Sequence, residues 1–118
     1  MIQADDFILP AKSRGFSTWA GVPCSFLTPF INRVIDDPEM IYISSANEGD
    51  AVAMACGAYL AGKKGMVMFQ NSGLGNAVNA LTSLSYPFRI PMLVIVTHRG
   101  RPGGKPDEPQ HEDRKSAV

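Results

Sequence analysis

Residues 92–97 read Met-Leu-Val-Ile-Val-Thr, an apolar run with no charge, glycine or proline. It has the length of a strand rather than a helix, and it is rich in β-branched residues. A strand that is apolar at every position has no wet face. That is the pattern of a parallel sheet covered by helices on both sides. Further back, Met66 to Phe69 (MVMF) and Met40 to Ile43 (MIYI) read as strands. Phe16 to Val22 (FSTWAGV) reads as another, stopped by Pro23.

The intervening segments carry helical spacing. Ser25 to Ile35 places Phe26, Leu27, Phe30, Ile31 and Val34 on one stripe and closes at Asp36-Asp37-Pro38. Asn47 opens a helix to about Ala61. Asn47 suits the N-cap, and Glu48 and Asp50 put negative charge in the first turn, where the dipole favours it. Ala51, Ala53, Ala55, Cys56, Gly57 and Ala58 give this helix small surfaces that another backbone can approach closely. Gln70 to Gly75 reads as a turn, Asn76 to Leu84 as a helix and Tyr86 to Pro91 as a connection. A leading helix spans Ala4 to Arg14, with Asp5 or Asp6 as its cap and Gly15 as its stop. The order is βαβαβαβ after that helix, which predicts an α/β domain with a parallel sheet and helices on both faces. Right-handed crossovers gather the strand-to-helix loops at the carboxyl edge, where open α/β sheets bind ligands.

A length of 118 residues suits one domain. Eleven basic and eleven acidic side chains cancel, so no overall charge favours nucleic acid or an anionic membrane. No apolar run approaches the ~20 residues of a membrane span. The start, Met1-Ile2-Gln3-Ala4-Asp5-Asp6, lacks the basic-then-apolar order of a signal peptide, and the expected location is the cytoplasm. Cys24 and Cys56 make neither a disulfide framework nor a metal-ligand cluster, and Cys56 reads as a small buried hydrophobe. From Arg99 to Lys115 the chain is dense in charge, proline and glycine and holds no aliphatic side chain.

Gly73-Leu74-Gly75 lacks the third glycine of a dinucleotide fingerprint, since Val78 stands there, and no phosphate-loop lysine follows. It reads either as a tight turn into a helix or as a place where backbone approaches a ligand. Glu48 in a first turn is ordinarily dipole compensation, but its place at the ligand edge makes it a candidate for proton exchange. His98 and His111 are the only histidines, and Ser25 could serve as a helix cap alone. No serine–histidine–acid order or zinc spacing stands out. The residues by themselves reach a small parallel α/β domain with a polar carboxyl edge, not a reaction.

Several ordered blocks carry more. Gly21-Val22-Pro23-Cys24-Ser25-Phe26-Leu27, Ala46-Asn47-Glu48-Gly49, Gln70 to Asn79 and Leu81-Thr82-Ser83-Leu84 are similar to the phosphonopyruvate decarboxylases and their sulfopyruvate relatives. So are Tyr86-Pro87-Phe88-Arg89-Ile90-Pro91 and Asp107-Glu108-Pro109-Gln110-His111-Glu112. The resemblance, to a thiamine-diphosphate enzyme family, runs from about Gly15 to Glu112. It implies a pyrimidine-binding domain over residues 1–112 and a polar tail over 113–118.

It also implies that Glu48 hydrogen-bonds N1′ of the cofactor's aminopyrimidine. Asn71, Gly73, Leu74, Gly75 and Asn76 would lie along the cofactor, with Gly73-Leu74-Gly75 letting backbone approach it and the partner domain. Ser25 and Gln110 would face substrate, and His111 would act beside Glu48. Arg89 and Arg99 are the cations that could attract a phosphonate or sulfonate, each otherwise a solvated side chain. Mg²⁺ and the diphosphate would be held by a Gly-Asp-Gly…Asn motif on another domain or subunit. The pair Gly49-Asp50 is followed by Ala51 and is not that motif.

The implied function is the pyrimidine-binding subunit or fragment of a thiamine-diphosphate-dependent 2-oxoacid decarboxylase that converts phosphonopyruvate to phosphonoacetaldehyde and carbon dioxide. The implied assembly is a homo- or hetero-oligomer joined through the helices opening at Asn47 and Asn76. Sulfopyruvate as substrate, and a non-catalytic oligomerisation module using the small-residue face of the Asn47 helix, remain open alternatives.

Overall fold

The computed structural model describes residues 2–100. Helix α1 (Ala4–Ser13) leads into β1 (Thr18–Gly21), a short 3₁₀ turn at Ser25–Leu27 and α2 (Thr28–Ile35). Then follow β2 (Ile41–Ser44), α3 (Glu48–Leu60), β3 (Gly65–Gln70), a 3₁₀ turn at Asn71–Gly73 and α4 (Leu74–Ala80). A π turn at Leu81–Ser85 leads on towards β4 (Leu93–Thr97). The four strands form one sheet in the order β2-β1-β3-β4, and every pairing is parallel.

Strand alternation divides the core between two faces. Trp19, Met66 and Met68 point to the face where α1 and α2 contribute Ile8, Ile31 and Val34. Ala20, Val67 and Phe69 point to the other, against Ala51, Val52, Ala55 and Cys56 of α3 and Ala77 of α4. Ala51, Ala55 and Cys56 of α3 are therefore used inside the domain, while Ala53 and Gly57 stay exposed. A Cβ built on Gly65 would stand 2.6 Å from the Ala55 carbonyl oxygen and 2.9 Å from its Cβ, so helix and strand pack almost backbone to backbone. That accounts for Ala51, Ala55 and Cys56 without self-association, and burial pushes the Cys56 thiol up from its ordinary pKa.

Several boundaries differ from the sequence expectation. The N-cap of α1 is Gln3, and the Asp6 carboxylate accepts from the Gln3 backbone N–H at 3.3 Å, so the acid closes the first turn from within the helix. β1 starts at Thr18 because the backbones of Phe16 and Ser17 are engaged in the turn after α1, donating to Ala11 and Gly15. The helix expected from Ser25 opens as a 3₁₀ turn, and α2 proper begins beside Pro29, which tolerates the first helical turn. The run 92–97 is a parallel strand, as expected, but it is an edge strand and not fully buried. Leu93 is 38 % exposed, whereas β1 and the first five residues of β3 are buried throughout. Apolar composition reports the two faces of a strand and is silent about its edge.

At the amino edge, Lys12 of α1 lies 2.8 Å from the Asp37 carboxylate and 2.6 Å from Glu39. Arg33 lies 3.3 Å from Asp37 and 2.6 Å from Asp5. The Lys12 ammonium first, and then the Glu39 backbone N–H, hold the Asp37 carboxyl below its ordinary 3.8. A depressed carboxyl stabilises the fold above its unfolded pKa, and that stability is lost as pH falls through the lower folded value. Asp37→Asn should therefore lower the urea midpoint at pH 6. The gap from the parent should close as pH falls below about 3.8, the ordinary value. A gap independent of pH would show that Asp37 acts through packing alone. Among the described residues no helix is long and apolar enough to cross a membrane.

Candidate functional site

The strand order sets the site. The chain leaves β1 for β2 on one side, and leaves β3 for β4 on the other. The loops after β1 and β3 therefore part at the carboxyl edge, where such sheets open a crevice. Cys24 follows β1, and its Sγ donates to Gln70 Oε1 at the end of β3, at 3.6 Å. It lies 3.9 Å from Thr97 Oγ1 at the end of β4. Sequence reading did not single out Gln70 or Thr97 as partners of Cys24. Separations of 46 and 73 residues leave no local pattern to find.

Glu48 is the first residue of α3. Asn47 caps the helix as expected, its Oδ1 accepting from the Asp50 N–H at 3.0 Å. The two acids of this first turn then separate. Asp50 stays exposed and accepts from Asn47 Nδ2 at 2.8 Å, while Glu48 turns inward and is 8 % exposed. Asn76 of α4 donates through Nδ2 to Glu48 Oε2 at 2.8 Å. Oε1 accepts from no donor among the described residues. A Cβ on Gly73 would overlap the Glu48 carboxylate, so this glycine makes room for a side chain of the chain itself. Leu74 packs into the core beside α3, so it too has a role within the domain. Gly75 is exposed, and a Cβ there would meet nothing within 4 Å.

A second group of residues adjoins the first through the same turn. Asn71, 5 % exposed, donates from Nδ2 to the Arg99 carbonyl oxygen at 3.0 Å, and its Oδ1 has no partner. The Arg99 guanidinium donates to the Ser25 hydroxyl and lies over the Phe26 ring, 4.4 Å from its centroid. Its Nε is buried without a partner among the described residues. The structure thus joins Glu48, Gly73 and Asn76 in one cluster, and Ser25, Asn71 and Arg99 in a neighbouring one, with Asn71 and Gly73 on one 3₁₀ turn. Gln110, His111 and the 113–118 tail lie outside the described residues. Among the described residues no group of three or more His, Cys, Asp or Glu could hold a metal ion.

Residues 3–118 match the model of the thiamine pyrophosphate enzyme family, N-terminal TPP binding domain. The chain belongs to that family. Thiamine pyrophosphate is the same compound as thiamine diphosphate. Within the family, the chain is 57 % identical over 111 residues to a phosphonopyruvate decarboxylase of Streptomyces viridochromogenes, covering 94 % of this chain and 28 % of that protein. It is 44 % identical over 89 residues to the sulfopyruvate decarboxylase alpha subunit of Methanocaldococcus jannaschii, covering 75 % of this chain and 53 % of that subunit. The chain therefore spans about a quarter of the first relative and about half of the second. A Mycobacterium smegmatis structure described as a thiamin diphosphate-dependent enzyme superposes with a TM-score of 0.73 at 25 % identity, over 88 % of this chain and 20 % of that one. The parallel sheet flanked by helices is thus the fold of a thiamine-diphosphate enzyme, as the sequence blocks implied.

The donor set around Glu48 fits the pyrimidine end of this cofactor. A carboxylate nearly closed off from water, with one oxygen satisfied by Asn76 and the other without a donor, suits a ring nitrogen that presents or receives a proton.

Proposed function

We propose that this chain is the pyrimidine-binding part of a thiamine-diphosphate-dependent 2-oxoacid decarboxylase whose substrate is phosphonopyruvate. The observation that carries the reading is the buried Glu48 carboxylate, held by Asn76 beneath Gly73 at the carboxyl edge. The identity to phosphonopyruvate decarboxylase over nearly the whole chain supports the choice of substrate. In the reaction the bond from the carboxylate to the carbonyl carbon breaks and carbon dioxide departs. A proton is added at the carbon that bore the carboxylate, which becomes the aldehyde carbon of phosphonoacetaldehyde. When bound, the cofactor supplies the sink for the electron pair left behind.

Glu48 would hold the ring nitrogen of the aminopyrimidine with a carboxylate mostly withdrawn from water. Asn76 fixes the carboxylate's orientation, which restricts where the proton can sit. Gly75, open and unobstructed, allows backbone close to the cofactor. Ser25 and Gln110 would face substrate, and His111 would act beside Glu48. Mg²⁺ and the diphosphate belong to a second domain or subunit. The exposed Met54 and Leu60 of α3 and Val78 of α4 supply apolar surface for an oligomer.

The test is decarboxylation of phosphonopyruvate with thiamine diphosphate and Mg²⁺, first on the chain alone and then with a diphosphate-binding domain added. Turnover is expected only in the mixture. A mixture in which the two proteins bind each other but neither phosphonopyruvate nor sulfopyruvate is consumed would overturn the reading. Consumption of sulfopyruvate alone would move the substrate assignment and leave the chemistry.

A further inference from the structure

Two arginines carry the charge that an anionic substrate would seek, and the fold separates them. Arg89 is exposed in the connection ahead of β4, at the amino edge of the sheet. Arg99 follows β4 at the carboxyl edge and reaches back to the loop after β1. Among the described residues no carboxylate pairs with Arg99, although Lys12 and Arg33 both have acidic partners. Its plane is fixed from two sides, by the Phe26 ring and the Ser25 hydroxyl. Its Nε is buried with no acceptor among the described residues. A guanidinium held rigid, with its Nε buried and no anion beside it among the described residues, is built to receive one.

We infer that Arg99, oriented by Ser25 and Phe26, binds the terminal phosphonate or sulfonate of the substrate and sets the preference for such acids. This rests on the decarboxylase reading. Three anions meet at such a site, and general chemistry selects among them. The substrate carboxylate loses its charge as carbon dioxide leaves, so a cation on it would stabilise the starting state against the reaction. The cofactor's diphosphate lies at the far end from the pyrimidine that Glu48 grips. The terminal oxyanion keeps its charge from substrate to product, and binding it costs the reaction nothing.

The experiment is steady-state kinetics of Arg99→Gln and Arg99→Lys in the assembly with the diphosphate-binding domain. Arg99→Gln should raise the KM for phosphonopyruvate by about tenfold to a hundredfold, the range of a lost charge-assisted pair, with a smaller change in kcat. Arg99→Lys should recover part of that, because charge persists while the planar fork is lost. The inhibition constant of pyruvate, which has the carboxylate but no terminal oxyanion, should move far less than that KM. So should half-saturation by thiamine diphosphate.

A pyruvate constant that rises in step would mean that Arg99 holds the carboxylate. A shifted cofactor requirement would mean that it holds the diphosphate. Either result, or an unmoved KM in an active assembly, overturns the assignment while sparing the decarboxylase reading. A parent assembly inactive on both acids removes both together.

Discussion

Glu48→Gln, assayed in the assembly with the diphosphate-binding domain, should lower kcat by about a hundredfold to ten-thousandfold, the span of a lost proton-transfer group. The substitution keeps size and shape. Its carbonyl oxygen can still accept from Asn76, which now reaches Glu48 Oε2 at 2.8 Å. The other end of the side chain then becomes an NH₂, a donor where the proposed role needs a group that can accept a proton. The fold should be unaffected, because the overlap relieved by Gly73 is the same for either side chain. A thermal midpoint close to the parent's, beside a collapsed kcat, would place the loss in chemistry. Turnover within threefold of the parent would remove Glu48 from the proposed role.

Trp19→Ala should cost roughly 3–5 kcal/mol of stability, a large share of the ~5–15 kcal/mol that holds a typical domain. Trp19 lies fully buried in β1, an interior strand paired on both sides. Its Nε1 donates to the Phe16 carbonyl at 2.9 Å, and its ring meets Phe7 edge-on at 6.5 Å. Truncation would empty the layer between α1 and the sheet and strand the Phe16 acceptor. Urea unfolding followed by far-ultraviolet circular dichroism reads the loss, since Trp19 is the single tryptophan and fluorescence would vanish with it. Trp19 belongs to the face opposite the α3–α4 core, so Trp19→Phe should keep cofactor affinity while losing part of the stability. A midpoint unchanged in Trp19→Ala would mean that the α1 layer contributes little.

Much of the fold is legible residue by residue. Met66 to Phe69 reads as a covered strand because both faces are apolar, and Asn47 with Glu48 and Asp50 marks a helix start because cap and charge agree. The segment after Gln70 is less legible. The expected turn is a 3₁₀ turn running straight into α4, and the expected helix end is a π turn at Leu81–Ser85, because hydrophobic spacing does not distinguish i+3, i+4 and i+5 ladders over so few residues. In the site, Glu48 was visible from its position at the edge. Its hold by Asn76, and the link from Asn71 to Arg99, each join residues 28 apart through tertiary packing that no local pattern encodes.

The strand order has a consequence in time. β1 sits at the centre of the sheet, but its partner β3 begins only at Gly65, after β2 and the whole of α3. A nascent chain can pair β1 with β2 early, yet that ribbon has no second neighbour until Gln70 has been made. Closing so long a loop carries an entropic cost before any contact repays it. Asn76 must follow before Glu48 is fixed, and Arg99 later still. The binding edge is thus assembled in steps, the Glu48–Asn76 contact becoming possible before any contact made by Arg99.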